Sequence, residues 1–419
     1  MSTATTLRDR FPALDGLRAV GALAVLTTHV GFSSGASLHG SWGGFLARLD
    51  IGVALFFVVS GFLLYRPHAV ARLVDVAPPA TGPYLWHRFL RIVPALWIAV
   101  ALAALTLPHT ADVGVGRYLR HALLVQVYVP DQQVAGLTQL WSLATEGAFY
   151  LALPLLAAAL ARLPGGPRRW VRLAVLVLAT TVVVGPVWMA WVTAGGHSLW
   201  GLWLPGYIGW FGLGMLLAVW SSARSAGLVR TPRLVGLAQH PWTCWSLALA
   251  AYTVLTTPVA GPLGLTATTP GAAFTKSLAY GLVAALVVLP TVGSNRRRDE
   301  PSAVRTLGAG TWAWAGGISY GVFLYHVTVL GWVERAIGHR PFGGDFALLW
   351  VGTVAVTTLL AWASYRLVER PLMRRGRHNR AYDVRRGSSL DEVDVDRVTL
   401  ADAGQDVTTA TARAHSTSS

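Results

Sequence analysis

The chain is poor in charge, in acid and in sulfur. Only 13% of its 419 residues are charged, and 34 basic residues face 19 acidic ones. The one cysteine, Cys244, excludes an intramolecular disulfide and any cysteine-built zinc site. No Walker phosphate loop occurs, and no histidine pair has the His-x-x-x-His spacing of a metal helix, so no metal site is expected. What fills the chain instead is apolar: 53% of the residues are hydrophobic, and the mean hydropathy is +0.49. Such a composition belongs to polytopic membrane proteins. The 18 Trp and 44 Gly suit that class, Trp at the membrane interface and Gly at close helix contacts. A net charge of +15 would suit nucleic acid, but the basic residues fall in short stretches between apolar runs. That is a topology signal, and no nucleic-acid partner is expected.

Ten apolar segments can be marked, at 12–32, 51–66, 92–107, 141–161, 171–193, 204–221, 242–258, 272–292, 312–333 and 345–367. The second and third are short for a span and are expected to tilt or to extend into their polar flanks. The apolar run from Ala19 to Val30 has no small-residue cleavage site and reads as a first membrane helix, not a signal peptide. One set of alternating connections holds 25 arginines and the other holds 5. By the positive-inside rule the rich set is cytoplasmic. The expected fold is therefore all-α: an integral membrane bundle of about ten transmembrane helices in the plasma membrane, with both termini cytoplasmic. Residues 1–10 form a cytoplasmic N-terminus and 11–373 the membrane domain. Residues 374–419 are a tail, basic at first, then rich in Ser, Thr, Asp and Ala and read as disordered. In the long outer connection 108–140, Gly116 to Tyr128 is read as a short amphipathic helix.

With no soluble domain visible, any chemistry falls to ionisable residues in the bundle. Arg18 and His29 are eleven positions apart on the first segment, which puts them about 20° apart around a helix and roughly 16 Å apart along it. His29 then lies deep in the membrane, and an imidazole there suits a general base. Arg88-x-x-Arg91 points two guanidinium groups the same way, a pair suited to phosphate. Trp141-Ser142-Leu143-Ala144-Thr145-Glu146 opens the fourth segment, and Glu146 is read as the carboxylate that orients the His29 ring. Ser60-Gly61 reads as a small-residue packing site. Ser319 and His326 are seven apart, on one helix face. Glu369-Arg370-Pro371 reads as a helix end with a local ion pair.

Five stretches, in this order, resemble the membrane-bound acyltransferase 3 family. They are Arg18-x10-His29, Phe56-Phe57-Val58-Val59-Ser60-Gly61-Phe62, Arg88-x-x-Arg91, Trp141-Ser142-Leu143-x-x-Glu146-x-x-Phe149-Tyr150, and Ser319-Tyr320-x4-Tyr325-His326. The resemblance runs over roughly residues 10–373. It implies transfer of an acyl group, most often acetyl from acetyl-CoA, to a hydroxyl of a carbohydrate or a glycosylated metabolite. It implies no permanently bound cofactor, with acyl-CoA as co-substrate. By the resemblance His29 and Glu146 are catalytic. Arg18, Arg88, Arg91 and Ser60 bind the acyl-CoA, and Tyr150, Ser319, Tyr320 and His326 lie on the acceptor side. One departure stands out: many relatives have an acid before the Leu-Phe-Phe stretch, where this chain has Ala54, with Asp50 one turn earlier. The extra periplasmic hydrolase-like domain of some relatives is not expected. The competing class is a transporter or flippase for a glycolipid or metabolite, whose polar residues would line a pathway; the chain shows no inverted repeat to support it.

Overall fold

The computed structural model describes residues 11–108, 113–263, 266–294 and 299–375. The expected N-terminal segment 1–10 and nearly all of the tail, 376–419, lie outside the described residues. Two compact units separate at residue 371; of the second, residues 372–375 are described, as helix.

Among the described residues of the first unit, the regular structure is helical. Its helices are α1 (Ala13–Ser34), α2 (Gly43–Ala47), α3 (Gly52–Leu73), α4 (Thr81–Thr106), α5 (Val115–Ala122), α6 (Leu140–Ala161), α7 (Pro167–Ala194), α8 (Leu204–Ser225), α9 (Pro232–Gln239), α10 (Pro241–Leu255), α11 (Pro270–Val292), α12 (Ser302–Leu307), α13 (Gly310–Ala336) and α14 (Phe346–Ser364). The punctuation is local. Five of them, α7 to α11, start with proline in the first turn, where its missing N–H costs nothing. Thr269 caps α11 by accepting from the Ala272 amide.

All ten apolar segments are helical. The short second and third do extend into their flanks, as α3 and α4. Of the ten expected spans, the segment 242–258 is the one that helix length alone does not support. Nine helices among the described residues are long and apolar enough to cross a membrane, and α10, with 15 residues, is not one of them. Its length is roughly 22 Å, short of a hydrocarbon core of about 30 Å. Pro258 follows three residues after the helix end and biases the residue before it away from helix, while the hydroxyls of Thr256 and Thr257 bond back to the carbonyls of Thr253 and Val254. α10 nevertheless runs beside α11. Trp245 Nε1 donates to Val287 O near one end (3.3 Å), and at the other Arg48 Nε donates to Leu255 O (3.0 Å).

Glycine sets how closely the central helices approach. A Cβ on Gly61 of α3 would collide with the Phe211 carbonyl of α8, and one on Gly214 with the Val58 carbonyl of α3. The small Ser60-Gly61 pair is thus a packing seam on its Gly61 side. Gly61→Leu is expected to push α3 and α8 apart at a cost of about 1–3 kcal/mol. A lower melting midpoint of the purified protein in detergent measures it; an unchanged midpoint would mean the seam is loose. A similar approach joins α1 to α13, where a Cβ on Gly316 would strike the Asp15 backbone. α1 and α13, held together in this way, carry Arg18, His29, Ser319, Tyr320 and His326.

Candidate active site

Two helices, α1 and α6, line two cavities in turn, and a third, α13, lines the first. α1 contributes Arg18 to the first and His29 to the second. α6 contributes Trp141 to the second and Ser142, Glu146 and Tyr150 to the first. α13 contributes Ser319, Tyr320 and Phe323 to the first, and one turn later places His326 against His29.

The first, the arginine cavity, is small, ≈ 60 Å³, room for about two waters. Arg18, Arg88 and Arg91 all line it, so the same-face reading of Arg88-x-x-Arg91 agrees with the geometry. Arg18 donates to Asp15 one turn earlier (3.3 Å). The Arg88 guanidinium sits 5.8 Å from the centre of the Tyr150 ring, and its Nε is buried with no partner among the described residues. Glu146 is the one carboxylate among the lining residues. Its Oε1 accepts from Ser60 Oγ at 2.5 Å. Glu146, expected to orient His29, instead accepts from a serine of α3 and lies with the arginines. Six residues beyond the start of α6, Glu146 is already about 9 Å down the helix, past the level where α6 borders the histidine cavity. The same depth argument moves Tyr150, Ser319 and Tyr320, expected on the acceptor side, into the arginine cavity. Tyr320 OH donates to Ile92 O (2.8 Å), tying α13 to α4 one residue past Arg91.

The histidine cavity is larger, ≈ 590 Å³. His29 lies at its floor, and the connection between α4 and α6 supplies much of its wall through Gln126, Asp131 and Gln132. The expected short amphipathic helix there is α5. His121 on α5 also lines this cavity, a placement no local pattern announces. Outside the spanning helices, burial holds the His121 imidazole below its ordinary pKa.

Hydrogen bonds decide the tautomers of the two central histidines. His326 is fully buried, and its Nδ1 faces Phe323 O at 2.7 Å. A carbonyl only accepts, so Nδ1 carries the proton and Nε2 carries the lone pair in the neutral ring. That Nε2 faces His29 Nδ1 at 3.3 Å, which in turn lies 2.8 Å from Val25 O. His29 Nδ1 must then be protonated, shared between a carbonyl and an imidazole. The free lone pair of His29 is on Nε2. The pairing of His29 with His326 was not visible in the sequence, because 297 residues separate them.

An aromatic partition lies between the two cavities. The rings of Phe56 and Phe323, both lining the arginine cavity, are 5.6 Å apart, and Phe323 is 5.9 Å from the His326 ring. Tyr325 points away from this pair, as adjacent helix positions do. Its hydroxyl pairs with Ser364 (2.9 Å), which donates to Glu369 (3.3 Å). Glu369 is buried at the end of a π-helical turn, Tyr365–Glu369, rather than paired along the chain as expected from Glu369-Arg370. Gly31-Phe32-Ser33-Ser34-Gly35 has the spacing of a hydrolase nucleophile elbow, but it ends a helix, and Ser33 Oγ donates to Glu334. Asp50 lies in neither cavity; it pairs with Lys276 and Tyr280 at the start of α3, and Ala54 is wholly buried.

The chain is 26% identical to nodulation protein 10 of Rhizobium leguminosarum bv. viciae over 396 residues, 86% of this chain and 92% of that protein. It is 29% identical to acyltransferase MdmB of Streptomyces mycarofaciens over 399 residues, 87% of this chain and 92% of that one. Over 203 residues it is 26% identical to peptidoglycan O-acetyltransferase OatA of Listeria monocytogenes serovar 1/2a, 44% of this chain and 29% of that protein. No solved structure matches it. The acyltransferase domain that defines the acyltransferase 3 family aligns with residues 11–366, which include both cavities and the histidine pair, and the chain belongs to that family.

Proposed function

We propose that this acyltransferase moves an acyl group, acetyl in the first instance, from cytoplasmic acyl-CoA to a hydroxyl of a carbohydrate or glycosylated metabolite at the outer side of the membrane. The observation that carries the reading is the hydrogen bonding of His29: its Nδ1 lies between Val25 O and His326 Nε2, which leaves the lone pair of the neutral ring on Nε2, and the residue lines a large cavity. The arginine-rich connections support a cytoplasmic arginine cavity, both termini inside, and α10 as a thin tenth span.

Arg18, Arg88 and Arg91 bind the phosphates and upper arm of acyl-CoA, and Ser60 with Glu146 lines the path of the arm. Tyr150, Ser319 and Tyr320 serve this donor side. At ≈ 60 Å³ the cavity is too small for the arm, so its entry turns Phe56 and Phe323 aside and joins the two cavities. The acceptor hydroxyl meets His29 Nε2, which takes its proton. The oxygen attacks the thioester carbonyl, the carbon–sulfur bond breaks, and the thiolate recovers the proton from His29 as it leaves as CoA. The charge on His29 during the step is shared through Nδ1–H with Val25 O and His326 Nε2. His326 is thus a positioning residue.

His326→Ala is expected to lower kcat by about 10–100-fold, the usual loss when the partner that orients a functional histidine is removed. The KM for acyl-CoA stays within twofold of wild type, and His326→Gln, which can still accept at that position, restores part of the rate. Equal loss in both variants, with a raised acyl-CoA KM, would mean His326 only packs. The function itself is tested by comparing cell-surface glycans and secreted metabolites by mass spectrometry with and without the gene. The purified protein is then given acetyl-CoA and the product that lost its acyl mass. Acceptor-dependent release of CoA thiol is expected. Unchanged acylation in the deletion strain, with no such release, overturns the proposal.

A further inference from the structure

The single lysine of the chain, Lys276, is on an apolar helix, α11. Its Nζ lies 2.7 Å from Asp50 Oδ2, and Tyr280 OH donates to Asp50 Oδ1 at 2.5 Å. An ion pair placed there for packing alone would be a poor use of two charges, since an apolar pair of similar size is commonly no less stable. The pair is also open: the side chains of Lys276 and Asp50 are 33% and 39% exposed. They face a third cavity of ≈ 360 Å³, in the size range of small-molecule sites, about 300–1,000 Å³.

An aromatic ladder connects that cavity to the histidine cavity. Trp141 lines both. From it the ring centres step to Tyr207 (5.2 Å), to Trp210 (4.9 Å) and to Tyr280 (6.3 Å), all lining the third cavity. Trp210 is pinned by its Nε1 donating to Ser277 O (2.7 Å). The Ser277 hydroxyl, buried at the same wall, has no partner among the described residues.

We propose that this third cavity holds a neutral sugar ring of the acceptor, beside the sugar or aglycone whose hydroxyl reacts at His29; the assignment rests on the acyl transfer proposed above. The chemistry of the lining selects the class. Asp50 accepts two of the roughly four hydrogen bonds its oxygens can take, and Lys276 uses one of three donors on Asp50. Several directional positions therefore remain for hydroxyl groups. Arg48 also lines the cavity, but it is buried and its guanidinium donates to the carbonyls of Leu255 and Gly261, so the exposed charges that face a ligand are Lys276 and Asp50, which cancel each other. An alkyl chain would strip water from the ion pair and from Ser277 without replacing its hydrogen bonds. A pyranose presents both hydroxyls and a flat C–H face, which the Trp and Tyr rings accommodate.

The test uses the full-length protein in lipid nanodiscs and a mixture of methyl α-D-glucoside, methyl α-D-mannoside, methyl α-L-rhamnoside and methyl N-acetyl-β-D-glucosaminide. Saturation-transfer NMR is expected to show transfer to the ring protons of at least one glycoside. The signal falls at least fivefold in Asp50→Asn and in Lys276→Gln, and at least twofold in Trp210→Phe, which keeps the core filled. Each variant is first shown to be monodisperse. No transfer to any glycoside, or transfer unchanged in Asp50→Asn and Lys276→Gln, overturns the assignment. The two readings separate cleanly. Variant-sensitive glycoside binding without CoA release keeps the pocket and removes the acyl transfer. Acceptor-dependent CoA release with an acceptor KM unchanged in Asp50→Asn and Lys276→Gln keeps the acyl transfer and removes the pocket.

Discussion

His29→Gln is expected to lower kcat for acyl transfer by about 10²–10⁴-fold, the range that a positioned general base supplies. Glutamine reaches a similar distance and can keep a donor toward Val25 O, so the helix end and the pairing with His326 survive better than with alanine. What it lacks is a basic lone pair toward the histidine cavity. The loss is therefore expected in kcat, with the KM for acetyl-CoA within a few-fold of wild type, because the arginine cavity is bounded by other residues of α1, α4, α6 and α13. Single-turnover release of CoA thiol in nanodiscs measures the step directly. A His29→Gln protein that is monodisperse and transfers at near the wild-type rate would remove His29 from the reaction. The base would then have to be sought elsewhere along the histidine cavity, with His121 at the wall as the first candidate.

The first helix was readable from spacing alone. Helical periodicity sets the angle between Arg18 and His29, and α1 spans both without a break. The same rule put Arg88 and Arg91 side by side. What periodicity cannot supply is the neighbour on another helix. His29 could turn to any polar group at its depth, and the carboxylate of Glu146 was the natural guess. The structure turns Glu146 to Ser60 and gives His29 another histidine. Depth was the second gap. Tyr150, Ser319 and Tyr320 belong to motifs that also touch the histidine end, but each helix crosses about 1.5 Å per residue, so a motif of ten residues spans both cavities. The third gap was at Lys276. No motif singles Lys276 out, and only the packing of α11 against the start of α3 brings Asp50 to it.

Arg88→Gln and Arg91→Gln are each expected to raise the KM for acetyl-CoA by about tenfold to a hundredfold. A hydrogen bond to a charged group is worth about 1.5–3 kcal/mol, and each 1.4 kcal/mol is a factor of ten. Arg88 carries the stronger expectation, because its Nε is buried with no partner among the described residues and stands ready for an incoming anion. Lysine is a poor replacement there, since it cannot offer the planar fork that matches phosphate oxygens, so Arg88→Lys is expected to recover only part of the affinity. The comparison that isolates the role is acetyl-pantetheine, which has the thioester but lacks the nucleotide phosphates. Wild type is expected to prefer acetyl-CoA strongly, and the preference to collapse in Arg88→Gln because acetyl-pantetheine has little to lose. Such a cycle separates a phosphate contact from a general loss of fold, which would weaken both donors alike. If Arg88→Gln slows both donors by the same factor, the arginines hold the bundle together and the donor enters by another route. If only acetyl-CoA suffers, the arginines mark where its charged end stops, and the neutral arm beyond them is the part that must reach His29.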